Sequence, residues 1–150
     1  MMEIVVALAI VAILATLAVP SMVGSIVRDQ IVKAVPLADV AKRPIEAMWQ
    51  SVQAFPENNA AAGLPPAHKI VGNYVSAVAI ENGVIQITFG NSAHSTIAGK
   101  VLSLRPAVVD DAPVVPIAWV CAFAPVPKEM SVKGVNATTV PNNLLPFNCK

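Results

Sequence analysis

The stretch MMEIVVALAIVAILATLAV, residues 1–19, decides the architecture, because only Glu3 and Thr16 interrupt its apolar side chains. At about 1.5 Å per residue, a helix over this stretch is roughly 28 Å long, close to the roughly 30 Å thickness of the hydrocarbon core of a bilayer. No basic residue precedes the stretch, and it is longer than the apolar core of a secretory signal. Ala15 and Ala18 keep a cleavage site open as an alternative. The sequence nevertheless favours a helix that stays attached and can span a membrane.

The composition of the whole chain agrees with a segment that lies outside water. The 150 residues suit one domain, yet 55% of them are hydrophobic and the mean hydropathy is +0.65. Lys and Arg total 10 against 9 Asp and Glu, which gives a formal net charge of +1. A charge so close to zero predicts no strong attraction to nucleic acid, anionic lipid or acidic substrates.

Glu3 is the informative residue of the apolar stretch. A carboxylate inside a spanning segment costs several kcal/mol and is rarely left there without a partner. Two interpretations are open from the residues alone. Either Glu3 lies at the headgroup boundary and is solvated, or the free N-terminal amine of a neighbouring copy, at a similar depth, supplies the counter-charge.

Two apolar stripes at helical spacing follow Pro20. The first predicts an amphipathic helix that leaves the membrane, and the second predicts a helix face that packs on a globular domain. Pro36 and Pro44 remove a backbone donor and clash with the preceding turn, so they predict kinks or short breaks between helical pieces. Stacked end to end, the pieces over residues 1 to about 54 make a rod of roughly 80 Å, of which half must protrude. The stripes are Met22, Val23, Ile26 and Val27, and then Ile45, Met48, Trp49 and Val52.

A loop and a small sheet are predicted next. The stretch FPENNAAAGLPPAHKIVG, residues 55–72, is rich in Pro, Asn, Ala and Gly and indicates an exposed loop. YVSAVAI and VIQITF then alternate around Glu81-Asn82-Gly83, which predicts a β-hairpin. Further strands at about residues 100–104 and 117–122 would complete an antiparallel sheet with one face on the second helical stripe. The fold class is therefore α+β.

Cys121 and Cys149 are the two cysteines of the chain, too few for a zinc cluster. They leave either one disulfide or two free thiols. A bridge would join two residues that are 28 positions apart along the chain, which contributes roughly 3–4 kcal/mol in the chain-entropy model. The proline-rich segment between them in an exported chain favours the bridge and an oxidising compartment.

An acidic residue near the start, sixteen mostly aliphatic residues and then Pro20 resemble the N-terminal signature of type IV pilins. The hairpin NYVSAVAIENGVIQITFG, the ending IAWVC and the terminal cysteine follow in the order of that family, so the resemblance covers nearly the whole chain. It implies an α+β fold in which a long N-terminal helix packs on a four-stranded antiparallel sheet with a disulfide-bounded C-terminal loop.

The resemblance also implies that Met1, Glu3 and Pro20 act in assembly. Such pilins are cut after a glycine, begin with a methylated residue, and carry the acidic residue at the fifth mature position, whereas Glu3 is third here. The leader, the cleavage glycine and about two mature residues are therefore expected to be missing. Ala12 stands where many members have a glycine, so the resemblance gives less support to local melting of the helix there.

The predicted organisation has two parts. Residues 1–22 form a hydrophobic helix for the membrane and the filament core. Residues 23–150 form the globular pilin domain, which comprises an amphipathic helix (23–54), the αβ loop (55–73), the sheet (74–122) and the C-terminal disulfide loop (121–149).

No catalytic, cofactor or metal site is predicted. His68 and His94 lie in predicted loops with no neighbouring carboxylate or cysteine at ligand spacing. Asp110 and Asp111 are adjacent loop carboxylates, which are usually just solvated. The triplet at residues 136–138 fits an N-glycosylation sequon, but such triplets arise by chance.

The sequence therefore predicts a structural subunit that polymerises through its N-terminal helix into an extracellular type IV pilus. The resemblance implies an inner-membrane pool in a bacterium, assembly platform proteins and cytoplasmic ATPases as indirect partners, and roles in adhesion, twitching motility or DNA uptake. Two alternatives remain open, a pseudopilin of a type II secretion system and a monomeric membrane-anchored binding domain.

Overall fold

The computed structural model describes residues 1–150 except for the side chains of residues 19–21. Pro20, one of the predicted assembly residues, lies outside the described residues. Two helices come first, α1 (Met2–Ala34) and α2 (Asp39–Val52), and a single 3₁₀ turn (Val35–Ala38) joins them. Five strands follow, in the order β1 (Val75–Glu81), β2 (Val84–Phe89), β3 (Val101–Val108), β4 (Ala118–Cys121) and β5 (Ser131–Val132).

The two predicted proline breaks have different outcomes. Pro36 is the second residue of the 3₁₀ turn between α1 and α2, so the helix changes form there as expected. Pro44 lies inside α2 and does not end it, so the helix is not broken at that residue, and a kink there stays a prediction. A proline inside a helix costs about 3 kcal/mol, whereas fully burying a large apolar side chain contributes roughly 1.5–3 kcal/mol. Burial of Ile45 and Trp49 on the following turns therefore outweighs the lost backbone bond.

One narrow stripe of the helices faces the sheet. Its members recur every three or four residues and are at most 8% exposed, so together they form the helical side of the core. The stripe predicted to pack on the domain was too broad, since Val52 is 64% exposed. A helix packed on one flat sheet buries only the side chains that point at it. The buried stripe is Val27, Ile31, Ala34, Ala38, Ala41, Ile45 and Trp49.

The sheet is antiparallel in the order β1-β2-β3-β4, which confirms the predicted four-stranded arrangement. Asn82 and Gly83 form the hairpin turn with φ of 50° and 84°, while Glu81 belongs to β1 rather than to the turn. β5 is a two-residue addition that pairs with the end of β3. Because the apolar side of the sheet covers the helical stripe, the core lies between the sheet and the second half of the long helix.

β3 is longer than the predicted strand and continues through Pro106. Pro106 is opposite Trp119 of β4, and its carbonyl accepts a hydrogen bond from the Lys133 backbone amide at 2.8 Å. Its backbone therefore points away from β4, toward the side on which β2 pairs only as far as Leu104. A proline is tolerated where no neighbouring strand needs its missing donor.

The predicted disulfide is present. Cys121 at the end of β4 is bonded to Cys149, and the Cα atoms are 4.6 Å apart. The segment that it closes adheres to the sheet, because the Thr139 amide donates to the Val101 carbonyl at 2.9 Å and the Thr139 hydroxyl accepts from the Val101 amide at 2.8 Å. Leu145 of the same segment is completely buried. The bridge therefore fastens a segment that is already part of the core.

We expect Cys149→Ser to lower the free energy of unfolding of the full chain in detergent micelles by about 3 kcal/mol, because the open chain regains loop entropy. Denaturant titration followed by near-UV circular dichroism measures the change. The double variant Cys121→Ser/Cys149→Ser is the control and should lose the same amount, since the effect belongs to the bond. An unchanged unfolding midpoint would contradict the assigned role.

Candidate assembly surface

Residues 1–18 of the helix are exposed on every side. No side chain in this range packs against the sheet, and the large apolar ones are each more than half exposed. This part of α1 is also long and apolar enough to cross a membrane. A contiguous apolar surface of this size marks a site of contact with another apolar phase. The large apolar residues that are exposed in this range are Met1, Met2, Ile4, Val5, Val6, Leu8, Ile10, Val11, Ile13, Leu14 and Leu17.

Thr16, the second polar residue of the stretch, does not disturb this surface. Its hydroxyl donates a hydrogen bond to the Ile13 carbonyl at 2.7 Å. A threonine hydroxyl that donates to a carbonyl of its own helix is not left unpaired when the helix lies in an apolar environment. Glu3 is therefore the polar side chain of this stretch that needs an external partner.

Glu3 lies in the first turn of α1 and is exposed. In the described part of the chain, its carboxylate has no hydrogen bond or ion pair with another side chain. The next charged side chain along the helix is Arg28, 25 residues away, which corresponds to roughly 38 Å of helix. The positive end of the helix dipole favours an acidic residue in this turn but does not supply a full counter-charge. A counter-charge for this carboxylate in an apolar environment must therefore come from another molecule.

Polar contacts mark the point at which α1 joins the globular part. Arg28 donates from Nη2 to the Asn143 carbonyl at 2.7 Å, which ties the helix to the C-terminal loop. Gln30 accepts from the His94 amide at 2.8 Å, which ties the helix to the β2–β3 connection. Lys33 pairs with Asp29 at 2.6 Å, and this hydrogen bond and charge raise the pKa of Lys33. These contacts begin beside Val27, the first fully buried residue among those described.

The two histidines lie where the sequence placed them, outside the helices α1 and α2 and the strands. His68 is exposed in a short 3₁₀ turn, and His94 is partly exposed with Nδ1 at 2.9 Å from the Thr96 hydroxyl. Across the described residues, no group of three or more His, Cys, Asp or Glu side chains could hold a metal ion.

Asp110 is more than a solvated loop carboxylate, so that part of the prediction is wrong. It accepts a hydrogen bond from Ser131 at 2.6 Å and pairs with Lys133 at 2.8 Å, which connects the end of β3 to β5. Lys133 and Ser131 lower the pKa of the Asp110 carboxyl. This contact could not be predicted from the sequence, because the partners are more than twenty residues away along the chain.

The side chain of Asn136, the first residue of the sequon, is hydrogen-bonded within the fold. The Asn136 amide donates from Nδ2 to the Ala122 carbonyl at 2.9 Å, and its Oδ1 accepts from the Thr138 amide at 3.1 Å. Attaching a glycan at Nδ2 would remove a hydrogen bond from a partly buried site. The structure therefore favours a role for Asn136 in fixing the loop next to the disulfide.

An α+β domain with an uncovered apolar helix defines a class of subunits that must bury that helix outside their own fold. A family model described as Pilin (bacterial filament) matches residues 27–150. Two relatives from Neisseria gonorrhoeae, named Type IV major pilin protein PilE1 and PilE, are each 31% identical. Their alignments cover 100% of this chain and 84% and 91% of the relatives. A fimbrial protein of Neisseria meningitidis serogroup A is 34% identical over 69% of this chain and 62% of its own length.

The chain belongs to the pilin family and is a type IV pilin, a structural subunit of a surface filament rather than an enzyme. This confirms the interpretation that the apolar helix and the order of the motifs suggested. Adhesion and motility are general roles of the family.

The contact of Asp110 with Lys133 predicts how the thermal stability of the chain depends on pH. A carboxyl whose pKa is lower in the folded chain contributes stability above its unfolded pKa, about 3.8, and loses it as the pH falls through the folded value. Asp110→Asn should therefore reduce the loss of thermal stability between neutral pH and about pH 2. Asp111→Asn, at an exposed carboxylate beside it, is the matched control and should leave the pH profile unchanged. Identical profiles for Asp110→Asn and the unmodified chain would refute the effect.

Proposed function

We propose that residues 1–22 hold the chain in the bacterial inner membrane before assembly and afterwards form the filament core, while residues 23–150 remain the globular domain outside it. The observation that carries this proposal is the exposure of residues 1–18 on every side. Lipid or neighbouring helices can cover the apolar surface of such a helix on every side, whereas its own domain does not cover it. Its span of roughly 27 Å matches the hydrocarbon core of a bilayer.

Exchange between these two environments is physically accessible. Lipid tails and a bundle of aliphatic helices are about equally apolar, so the hydrophobic effect does not oppose the transfer. Close packing of Val, Ile, Leu and Ala side chains adds dispersion energy in the bundle. Because the two states are nearly balanced, external work can drive extension and retraction. The family resemblance assigns that work to assembly platform proteins and cytoplasmic ATPases.

Glu3 gives the bundle an advantage over lipid. An unpaired carboxylate in the membrane is costly, and a neighbouring copy can bring a cation to it. The cation that the family resemblance implies is the amine at the start of the mature chain, and Met1 is proposed as an assembly residue because it lies nearest to that amine in this sequence. Pro20 is the third assembly position proposed on the same resemblance. Pairing between copies would also fix the axial offset of adjacent subunits, because each charge accepts only a partner at its own depth.

The proposal includes a bacterial inner-membrane pool, a surface filament and a contribution to adhesion, twitching motility or DNA uptake. The pseudopilin alternative has less support, because the relatives described above carry the names of pilins and fimbrial proteins. The monomeric anchored domain has less support for the same reason.

We expect Glu3→Ala and the isosteric Glu3→Gln to insert into the membrane normally but to assemble poorly. Fibre yield in sheared surface fractions should fall by about tenfold, the factor that corresponds to about 1.4 kcal/mol of lost interaction. Asp29→Asn, which removes a carboxylate from the exposed pair with Lys33, is the matched control and should assemble normally. A normal fibre yield from both Glu3 variants would exclude the charge pairing.

A chain that lacks residues 1–19 should form no ordered fibres, because the remaining domain has no uncovered helix to bury. Electron microscopy of concentrated material tests this expectation. Regular fibres from the shortened chain would show that the globular domain polymerises by itself.

A further inference from the structure

Asn59 has an unusual position for an asparagine in a surface loop. It is only 8% exposed, and its side chain lies beside β1, the first strand of the sheet order. Its Nδ2 donates to the Val78 carbonyl at 3.0 Å and also to the Pro65 carbonyl at 3.0 Å. Its Oδ1 accepts from the Ile80 amide at 2.7 Å. All the hydrogen-bonding capacity of this carboxamide except one lone pair of Oδ1 is used within the fold.

The two contacts with β1 have the geometry of strand pairing. In a parallel ladder, a residue of the neighbouring strand donates to the carbonyl of one residue and accepts from the amide two positions later. Asn59 does this with Val78 and Ile80, on either side of Ala79. A side-chain carboxamide carries the same donor and acceptor as a peptide group. Asn59 therefore takes the place of one residue of an additional strand at the edge of the sheet.

Other parts of the loop cover the same edge. At the start of β1, the Val75 amide and carbonyl both bond to Gly72. Just beyond its end, the Asn82 amide donates to the Glu57 carbonyl at 3.1 Å, and the Gly83 amide donates to the Pro56 carbonyl at 2.9 Å. Asn59 occupies the middle of the edge, between these backbone contacts.

We propose that Asn59 is an edge cap that keeps β1 from pairing with a β-strand of a second copy of this chain. An open edge strand is a template for pairing with another chain. Filament subunits are held at high local concentration, so the hazard is greatest for this kind of protein. With the edge capped, the helix remains the route by which copies associate. The proposal concerns the sheet alone and does not depend on the pairing of Glu3.

The cap can be tested first in the unmodified full chain in detergent micelles. The Ile80 amide faces away from β2, whereas the Ala79 amide faces its partner Gln86. Because Asn59 accepts from Ile80, the two amides should exchange their hydrogens at rates within about tenfold of each other, as expected for hydrogen bonds of similar strength. Exchange of Ile80 at the rate of an exposed loop amide would overturn the cap.

The edge function is then tested with Asn59→Leu and Asn59→Ser, each of which removes the three hydrogen bonds. Asn58→Leu is the matched control, because Asn58 is exposed and bonds only within the loop, to the Ala61 amide. Both Asn59 variants should exchange Ile80 at least about tenfold faster. They should also form thioflavin-positive assemblies, which report sheet pairing between chains, while the control and the unmodified chain remain negative.

Two results would refute the proposal. Folded Asn59 variants with fast Ile80 exchange that stay thioflavin-negative at high concentration would show that the exposed edge does not pair. Failure of both variants to fold, judged by loss of the Cys121–Cys149 bond and of the thermal transition, would make Asn59 a determinant of folding rather than a cap.

Discussion

The structure depends on the different coverage of two halves of one long helix. From Val27 onward, one stripe of side chains packs on the sheet and leaves almost no exposed area. Over residues 1–18, the helix has apolar side chains in all directions and the described part of the chain does not cover them. The sheet therefore fixes the helix in the domain, and the uncovered half obliges the domain to associate with lipid or with other copies.

The remaining parts of the fold serve that division. The αβ loop and the C-terminal segment both form hydrogen bonds with the sheet through their backbone and short polar side chains. These bonds fix the two segments at the edges of the domain without a larger apolar core. Thr139 and Asn59 do this at opposite sides of the sheet. Such bonds from side chains to the backbone of the strands allow proline-rich and alanine-rich segments to be well defined without regular secondary structure.

Much of the fold could be predicted because its signals are local. Three features each predict their own structure: a 19-residue stretch that only Glu3 and Thr16 interrupt, an Asn-Gly turn between alternating stretches, and two cysteines at the ends of a proline-rich segment. The failures have physical reasons. Continuation of α2 through Pro44 and of β3 through Pro106 depends on what packs beside them, which the sequence does not show. The Asp110–Lys133 pair and the Asn59 contacts join residues that are distant along the chain.

The contacts of Arg28 and Gln30 have a mechanical consequence. They tie the helix to the C-terminal loop on one side and to the β2–β3 connection on the other, just past the uncovered segment. In the assembly proposed above, a pull along the axis of a fibre reaches each subunit through its helix, and these two bonds pass part of the load to separate regions of the domain.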